Sequence, residues 1–135
     1  QVTAQTTWPA SGKMPFPDSV CPQVEFANGS CAQLNYSAQG DTAFPKESFT
    51  LFASGMVVEV FNCMEMNIYR GRKKQKKSFS SKGHGEQMAA WLEYLLGRAE
   101  HPFPYEKSRG SMLLTLAAME AIQQGRSVRL SEVQI

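Results

Sequence analysis

The sequence predicts an α+β protein, in which an open, mainly antiparallel β-sheet carries two C-terminal helices on one face and leaves the other face available for oligomerisation. Residues 1–80 have strand and turn patterns, whereas residues 84–124 have helical apolar periodicity. Strands that precede helices favour helices gathered on one face of an antiparallel sheet. The 135 residues are 42% hydrophobic and 19% charged, so we expect residues 1–135 to form a single domain.

The first third of the chain predicts a strand, a loop and a hairpin. Val2–Thr7 alternates weakly between apolar and polar residues and predicts the first strand. Segment 8–18 is rich in proline and predicts a loop, because proline has no N–H for a strand ladder. Val20–Phe26 and segment 30–38 flank Asn28-Gly29, which is the strongest short hairpin signal in the chain.

The register of this hairpin can be predicted from which residues each loop length would place on the same face of the sheet. A two-residue loop pairs Phe26 with Cys31 and divides the apolar side chains between both faces. A three-residue loop over residues 27–29 pairs Phe26 with Ser30 instead. One face then carries the apolar residues Val24, Phe26, Ala32, Leu34 and Tyr36. We therefore predict the three-residue loop, with a positive φ at Gly29 as in a type I turn with a G1 bulge.

A second hairpin is predicted from Glu47–Phe52 and Met56–Phe61 around Ser54-Gly55. Parity does not decide its register, because either register leaves apolar side chains on both faces. A sheet that is apolar on both faces needs cover on both. Two helices can cover one face, so the other face is a candidate interface with a second subunit or domain.

Two amphipathic helices are predicted in the last third of the chain. The first spans Gly85–Leu96, and its apolar stripe comprises Met88, Trp91, Leu92, Leu95 and Leu96. The second runs from about residue 106 to residue 124 and stops at Gly125. Its expected buried side comprises Met112, Leu113, Leu116, Met119 and Ile122. Small residues on the same helix permit close approach to a sheet or another helix: Gly110, Ala117, Ala118 and Ala121. Val128–Ile135 predicts a short edge strand or a packed tail.

A basic run, RGRKKQKK, extends from Arg70 to Lys77. It can be interpreted as a phosphate or nucleic-acid contact, but the only aromatic residues near it are Tyr69 and Phe79 at its edges. We favour a solvated loop between the strands of a third hairpin, 67–71 and 77–81, whose charges discourage edge pairing. No nucleic-acid partner is therefore expected.

Cysteine usage bears on location and on metal binding. Cys21, Cys31 and Cys63 form no CxxC pair, and an odd count without a disulfide framework favours a reducing, cytoplasmic compartment. We expect them to be buried small hydrophobic residues. His84 and His101 lack the local spacing of zinc ligands, so no metal site is expected. No apolar run approaches the ~18 residues that span a bilayer, so no membrane partner is expected.

Two short segments are candidates for ligand contact. Segment 41–47 places Lys46 beside a carboxylate at a predicted sheet edge, which suits an anionic or hydroxylated ligand; its structural alternative is a strand-leading turn. Segment 82–86 places His84 beside a helix N-terminus, where it suits acid–base chemistry or a capping turn. The chain has no Gly-rich phosphate loop and no HExxH motif, and no catalytic residue is predicted within it.

Three stretches carry a family resemblance: GDTAFPKESFTLFASGMVVEV, KGHGEQMAAWLEYLLGR and PFPYEKSRGSMLLTLAAMEAIQQGRSV. Together they resemble the C-terminal domain of the glucose–fructose oxidoreductase/inositol dehydrogenase (Gfo/Idh/MocA) family over about residues 2–130. The pattern is most similar to a bi-domain subgroup, in which a zinc-alcohol-dehydrogenase-like half precedes the Gfo/Idh/MocA-like half.

The resemblance implies an NAD(P)-dependent oxidoreductase that acts on a sugar or polyol. Its N-terminal Rossmann domain would bind NAD or NADP, and its exposed sheet face would make a homo-oligomer, such as a dimer. The family's Gly-rich fingerprint, its Glu-Lys-Pro lysine and its catalytic Asp and His have no matching positions here, so no catalytic or cofactor-binding residue is carried over. Phe44, Lys46 and His84 remain as substrate-side candidates, from the FPKE and KGH turns.

The chain begins with Gln1 rather than Met, and we expect it to be an excised piece of a longer protein whose Rossmann domain lies upstream. On this interpretation the chain is inactive by itself. The alternative is a stand-alone protein-interaction or assembly module that uses a two-faced sheet.

Overall fold

The computed structural model describes residues 1–7 and 18–134. The predicted α+β class is confirmed, and every strand pair is antiparallel. The strands form two four-stranded sheets rather than one. The first sheet comprises β1 (Val2–Thr7), β2 (Ser19–Glu25), β3 (Cys31–Gln33) and β4 (Tyr36–Ser37). The second comprises β5 (Ser48–Ala53), β6 (Met56–Phe61), β7 (Glu65–Arg70) and β8 (Lys73–Ser78). The helices are α1 (His84–Leu95), α2 (Tyr105–Gln124) and a 3-10 helix (Leu130–Glu132).

The chain divides into two compact units. The first unit combines Gln1–Gly40 with Phe103–Ile135 and contains the first sheet and α2, whereas the second unit is Asp41–Pro102 and contains the second sheet and α1. The loop predicted over 8–18 falls, except for its last residue, outside the described residues. Within the described residues, the predicted strands and helices are present close to their expected bounds. The third hairpin is the exception.

The three-residue loop predicted for the first hairpin is confirmed. The Phe26 N–H donates to the Ser30 carbonyl at 2.9 Å, and the Gly29 N–H donates to the Phe26 carbonyl at 3.0 Å. Gly29 has a φ of 83°, as a three-residue loop with a left-handed last residue requires. One face of the first sheet therefore carries Val24 and its apolar neighbours toward α2.

Pro22 lies in β2 and interrupts the strand that pairs with β2. Both β3 and β4 pair with β2 in one continuous register, and between them the Leu34 N–H donates to the Pro22 carbonyl at 3.0 Å. Pro22 has no N–H to return the second hydrogen bond of this pair. The single strand predicted over 30–38 is consequently divided into two short pieces.

The buried core lies where α2 packs on β1. Its members are Val2, Leu113, Ala117, Ala118, Ala121 and Val128. Paired N–H···O bonds of 2.8 Å between Val2 and Val128 join the C-terminal tail to β1 as an isolated bridge, so of the two expectations, an edge strand or a packed tail, the structure has the packed tail. The 3-10 helix follows directly.

The predicted buried side of α2 is partly wrong. Leu113 is buried, but Met112 is 58% exposed and Met119 is also exposed. The expectation that small residues permit close approach is confirmed, since Ala117, Ala118 and Ala121 are buried and their short side chains let the helix backbone approach β1. The helix is thus turned so that its small residues, rather than its largest apolar ones, face the sheet.

The second sheet is a meander in the order β5-β6-β7-β8, and its register decides which residues share a face. Phe49 lies opposite Val60, and Val60 lies opposite Met66. The apolar face of the second sheet, as we call it below, comprises Phe49, Leu51, Met56, Val58, Val60, Met66 and Ile68. Phe49 is 58% exposed, and within the second unit, all of which is described, no apolar side chain is buried.

The opposite face of the second sheet combines polar groups with Phe52, Val57 and Phe61, so the expectation of apolar side chains on both faces is confirmed. The Tyr69 hydroxyl donates to Glu59 at 2.8 Å, and Lys76 forms a 2.7 Å ion pair with Glu65. The hydrogen bond from Lys76 lowers the pKa of the Glu65 carboxyl from its ordinary value, with further lowering from the Lys76 charge and the Asn67 amide. The Asn67 side chain is buried among these groups, and its Oδ1 accepts no hydrogen bond among the described residues.

Both helices were expected to cover one sheet face. The structure has α2 on β1, whereas α1 buries none of its residues. Met88, Leu92 and Leu95 of its predicted stripe are exposed. The bounds of α1 match the prediction within one residue, so local sequence periodicity is sufficient to locate this helix. No side chain of its apolar stripe is buried, however.

The prediction for the basic run is wrong. Most of it is strand, because β8 covers Lys73–Ser78 and only Gly71-Arg72 form the turn. Lysine has low strand propensity, but β8 is an edge strand, where exposed lysines are tolerated and hinder pairing with another edge.

Two tight turns of the second sheet have their glycine at different central positions, and the other central residue, Ser54 in one and Arg72 in the other, is a non-glycine residue at positive φ. The β5–β6 turn has Gly55 at its second central position, with a φ of 74°, whereas the β7–β8 turn has Arg72 there, with a φ of 61°. Such turns favour glycine at this position because a side chain is strained at positive φ. Arg72 therefore stores backbone strain that Gly55 avoids.

We predict that Val128→Ala lowers the free energy of unfolding by about 2 kcal/mol, because it removes fully buried methyl groups beside α2 and leaves a cavity. Val133→Ala, at a half-buried position on the same tail, should cost under about 1 kcal/mol. Urea denaturation of both variants measures the difference. Equal costs would contradict the position of the core.

We also predict that Arg72→Gly raises the free energy of unfolding by about 1 kcal/mol, because glycine relieves the left-handed strain. The reverse change at the matched position, Gly55→Ala, should lower it by about the same amount. Thermal and urea denaturation of the two variants test this. A destabilised Arg72→Gly variant would be inconsistent with the turn geometry.

Candidate functional site

A polar depression lies at one end of the second sheet, where the β6–β7 turn meets the segment before β5 and the connection from β8 to α1. Its volume is about 490 Å³. The residues that line it are Cys63, Ser78, Phe79, Ser80, Ser81, Lys82, Gly83 and Glu86. All of them belong to the second unit, and the depression is open to solvent.

Backbone hydrogen bonds hold the three segments together. Asn62 and Cys63 both have left-handed backbone conformations, with φ values of 49° and 54°. The Asn62 N–H donates to the Glu47 carbonyl at 2.6 Å, which ties the turn to the start of β5. The Phe79 N–H donates to the Met64 carbonyl at 2.8 Å, which ties it to the end of β8. Cys63 is a non-glycine residue at a strained position, and such positions cluster at functional sites.

The Glu47 carboxylate is the centre of the side-chain contacts. The Cys63 thiol donates to Glu47 Oε2 at 3.6 Å, and the Lys82 ammonium lies 3.9 Å from the same oxygen. Lys82 Nζ also donates to Asn62 Oδ1 at 2.6 Å. A cation, a carboxylate, an amide and a thiol are therefore brought together from three separate segments.

The start of α1 completes the site. Gly83 precedes the helix with a φ of 86° and accepts the Gln87 N–H at 2.9 Å. The Ser81 hydroxyl accepts the Gly83 N–H at 3.2 Å and lies 3.3 Å and 3.4 Å from the two carboxylate oxygens of Glu86. Glu86 lies in the first turn of the helix, where the helix dipole favours a negative charge.

This arrangement combines hydrogen-bond donors and acceptors in one open concavity. Carboxylates accept hydrogen bonds from hydroxyl groups, and an ammonium group donates them, so the depression is chemically suited to a polyhydroxylated ligand. Among residues 1–7 and 18–134, no group of three or more His, Cys, Asp and Glu side chains is arranged to hold a metal ion.

Phe44, Lys46 and His84 were predicted from sequence as substrate-side residues. They lie in the second unit, a few positions along the sequence from Glu47 or Lys82. Phe44 is 74% exposed in a turn closed by the Asp41 side chain and carbonyl. Lys46 is exposed before β5, and His84 is the exposed first residue of α1. The structure records no hydrogen bond or ion pair that joins Lys46 to His84.

Their immediate neighbours, however, do meet. Glu47 follows Lys46 and Lys82 precedes His84 by two positions, and the Glu47–Lys82 contact joins the FPKE and KGH turns. Sequence reasoning missed Asn62 and Cys63 altogether. The pattern gives no signal for them, because only the β6–β7 pairing brings this turn beside Glu47.

The expectation of buried cysteines is wrong. Cys21, Cys31 and Cys63 are all exposed free thiols. Strand alternation explains the first two, because they share the face of the first sheet opposite Val24 and the core.

No helix in the described part of the chain has the combination of length and apolarity needed to cross a bilayer.

Comparison with solved structures shows that the fold of this chain is shared with known proteins. The chain superposes on a solved structure from Thermotoga maritima, named "putative oxidoreductase", with a TM-score of 0.75 and 16% sequence identity. The match covers 93% of this chain but only 38% of the Thermotoga chain. At this identity the match establishes a shared fold. No family model matches the chain, and no curated protein sequence matches it.

Proposed function

We propose that the chain is the C-terminal substrate-binding and oligomerisation domain of a larger NAD(P)-dependent oxidoreductase that acts on a sugar or polyol. The observation that carries this proposal is the shared fold with part of a chain named as an oxidoreductase, of which this chain spans 38%. The Gfo/Idh/MocA resemblance, and its bi-domain subgroup in particular, supplies the family. A Rossmann domain, whose Gly-rich turn would lie about 150–250 residues before Gln1, would bind NAD or NADP.

The substrate side of this proposal rests on the polar depression. Lys82, Ser81 and Glu86 line the depression and provide a donor and acceptors for sugar hydroxyl groups, and Glu47 pairs with Lys82 beside it. Phe44, Lys46 and His84 are candidates for contacts with the outer part of the substrate, since they adjoin these segments in sequence. The chain carries no hydride-transfer chemistry of its own on this proposal, and it is inactive alone.

The oligomerisation role rests on the apolar face of the second sheet. A four-stranded meander in which no apolar side chain is buried cannot draw much stability from its own interior. Phe49 and Leu51 are exposed on this face and Val58, opposite Leu51, is half-buried, and exposed apolar surface of this kind marks protein interfaces. A second copy of the chain that covers this face would form a dimer. The exposed thiols agree with a reducing, cytoplasmic location.

The second candidate function is a stand-alone assembly module. It is favoured by the same apolar face together with the exposed stripe of α1. The two functions differ in what the polar depression does, since an assembly module has no need of a ligand there.

We predict that Lys82→Met, in the longest protein that the gene encodes, raises KM for a sugar or polyol substrate about tenfold or more, because a charged hydrogen-bond donor is lost. The kcat and the affinity for NAD(P)H should change little, since the cofactor is bound elsewhere. Steady-state kinetics over a panel of sugars and polyols measures these values, and Lys107→Met on α2 is the charge-matched control.

A matching titration uses this chain alone, which should not bind NAD(H) at micromolar concentration. Micromolar NAD(H) binding by the isolated chain would contradict the proposal. A gene product without NAD(P)-dependent activity, or a Lys82→Met variant with unchanged KM, would favour the assembly module.

A further inference from the structure

We propose that the outer edge of β8 binds an acidic, extended segment of another protein, which adds to the second sheet as a further antiparallel strand. The proposal goes beyond the proposed function and does not depend on it. It gives the lysines of the basic run a role that protection of a sheet edge leaves unexplained.

The first observation is a row of backbone groups that have no strand partner. β8 is the last strand of its sheet, and among the described residues it pairs with β7 alone. The Phe79 N–H donates to the Met64 carbonyl at one end of this pair, and hydrogen-bonded positions alternate along an antiparallel ladder. The N–H and C=O groups that point to the free edge therefore belong to Lys74, Lys76 and Ser78. An added strand would hydrogen-bond to these groups.

The second observation is the distribution of positive charge on this strand. Four of the six residues of β8 are lysines, and all six residues are exposed. The register places Lys73 and Lys77, together with Arg70, on the apolar face of the second sheet, and Lys74 and Lys76 on the other face. An added strand would therefore meet positive charge on both of its faces.

The third observation is that two of these lysines are not neutralised. Lys76 forms an ion pair with Glu65 at 2.7 Å, but Lys73 and Lys77 form none within residues 1–7 and 18–134. These two lysines share a face and are separated by one residue of that face, Gln75. Carboxylates with the same spacing on an added strand would lie directly opposite both lysines. Opposite charges at such positions stabilise a strand pair.

The fourth observation is the contrast between the two outer edges of the second sheet. The other edge strand, β5, has the sequence SFTLFA, with no charged residue and no proline. A general need to prevent edge pairing would apply to both edges. Selection of a partner strand therefore explains the lysines of β8 better than edge protection does.

The charge of this edge also indicates that the partner strand is not supplied by a second copy of the chain. Two β8 edges would place like charges directly opposite each other, which is destabilising. No strand within the described residues has two carboxylates, since β2, β6 and β7 contain one acidic residue each: Glu25, Glu59 and Glu65. The acidic strand therefore comes from a different protein.

A nucleic acid is a poorer fit to these observations. Single-stranded nucleic acids are held by exposed aromatic rings on which bases stack, and β8 carries no aromatic side chain. The backbone of a polypeptide, in contrast, presents N–H and C=O groups with the spacing of the free edge. An oligonucleotide is accordingly a control in the test.

The test is a fluorescence-anisotropy titration of a labelled peptide of about seven residues with the full chain, at about 0.05 M salt. The peptide has glutamate opposite Lys73 and Lys77, and threonine or valine elsewhere. We expect saturable binding with a Kd below about 1 mM. A second peptide has N-methyl groups on the residues opposite Lys74 and Lys76. It keeps the charge but lacks the hydrogen-bond donors, so it should bind at least about tenfold more weakly.

The variant Lys73→Gln/Lys77→Gln should weaken binding of the first peptide about fivefold or more. The control Lys107→Gln/Arg109→Gln removes the same charge from α2 and should change the Kd less than about twofold. In the natural chain, the bound peptide should slow amide hydrogen exchange at Lys74 at least about tenfold, because this N–H enters a new ladder.

Absence of saturable binding up to about 10 mM peptide would overturn the proposal. Equal affinity for the N-methylated peptide, or unchanged hydrogen exchange at Lys74, would also overturn it, because no strand would then have been added. An oligonucleotide of equal charge that binds as tightly, or an equal loss in the control variant, would overturn it as well, since binding would then follow charge alone.

Discussion

Apolar surface is buried unevenly along this chain, and both the stability of the protein and its proposed interface depend on where that surface is buried. The described core is confined to the first unit, where the alanine face of α2 lies on β1 and Val128 closes the edge beside Val2. The second unit has a complete antiparallel meander but no buried apolar side chain. Hydrogen bonds can give such a sheet its shape, but apolar burial is the main favourable contribution to folding. On the proposed function, a second copy of the chain covers the apolar face of this sheet.

The two ends of the second sheet carry different chemistry because different turns lie there. At one end, the β6–β7 turn brings Asn62 and Cys63 beside Glu47 and Lys82, which creates a neutralised, hydroxyl-compatible depression. At the other end, the Gly71-Arg72 turn concentrates positive charge, and no ion pair joins Arg70, Arg72 or Lys73 to a carboxylate within residues 1–7 and 18–134. In both places a non-glycine residue occupies a left-handed position.

Local rules predicted the parts of the fold that depend on nearby residues. Parity and turn chemistry were sufficient for the first hairpin, including the conformation of Gly29. Periodicity located both helices, and residue size identified the alanines of α2 that approach the sheet, but Met112 and Met119 were wrongly expected on the buried side, because apolar residues surround more than half of that helix. The basic run was assigned to a loop because lysine has low strand propensity, which pairing at a sheet edge overrides. Division into two sheets depends on long-range pairing, for which a single sequence gives no pattern.

The candidate site was predictable only in part, for the same reason. The FPKE and KGH turns were identified from sequence, and the structure joins them through Glu47 and Lys82 rather than through Lys46 and His84. Cys63 carries no motif, and its place in the site follows from strand pairing alone. Residues that adjoin in space but not in sequence require the fold before their chemistry can be considered together.

The most direct test of the central claim is sedimentation equilibrium of the full chain and of a Leu51→Lys/Val58→Lys variant, which places two charges on the apolar face of the second sheet. The account predicts a dimer for the natural chain at about 10–100 μM and a folded monomer for the variant, because the charges would have to be desolvated in the interface. A natural chain that stays monomeric and fully folded over this range, or a variant that still dimerises, would contradict the claim that a second copy completes this sheet.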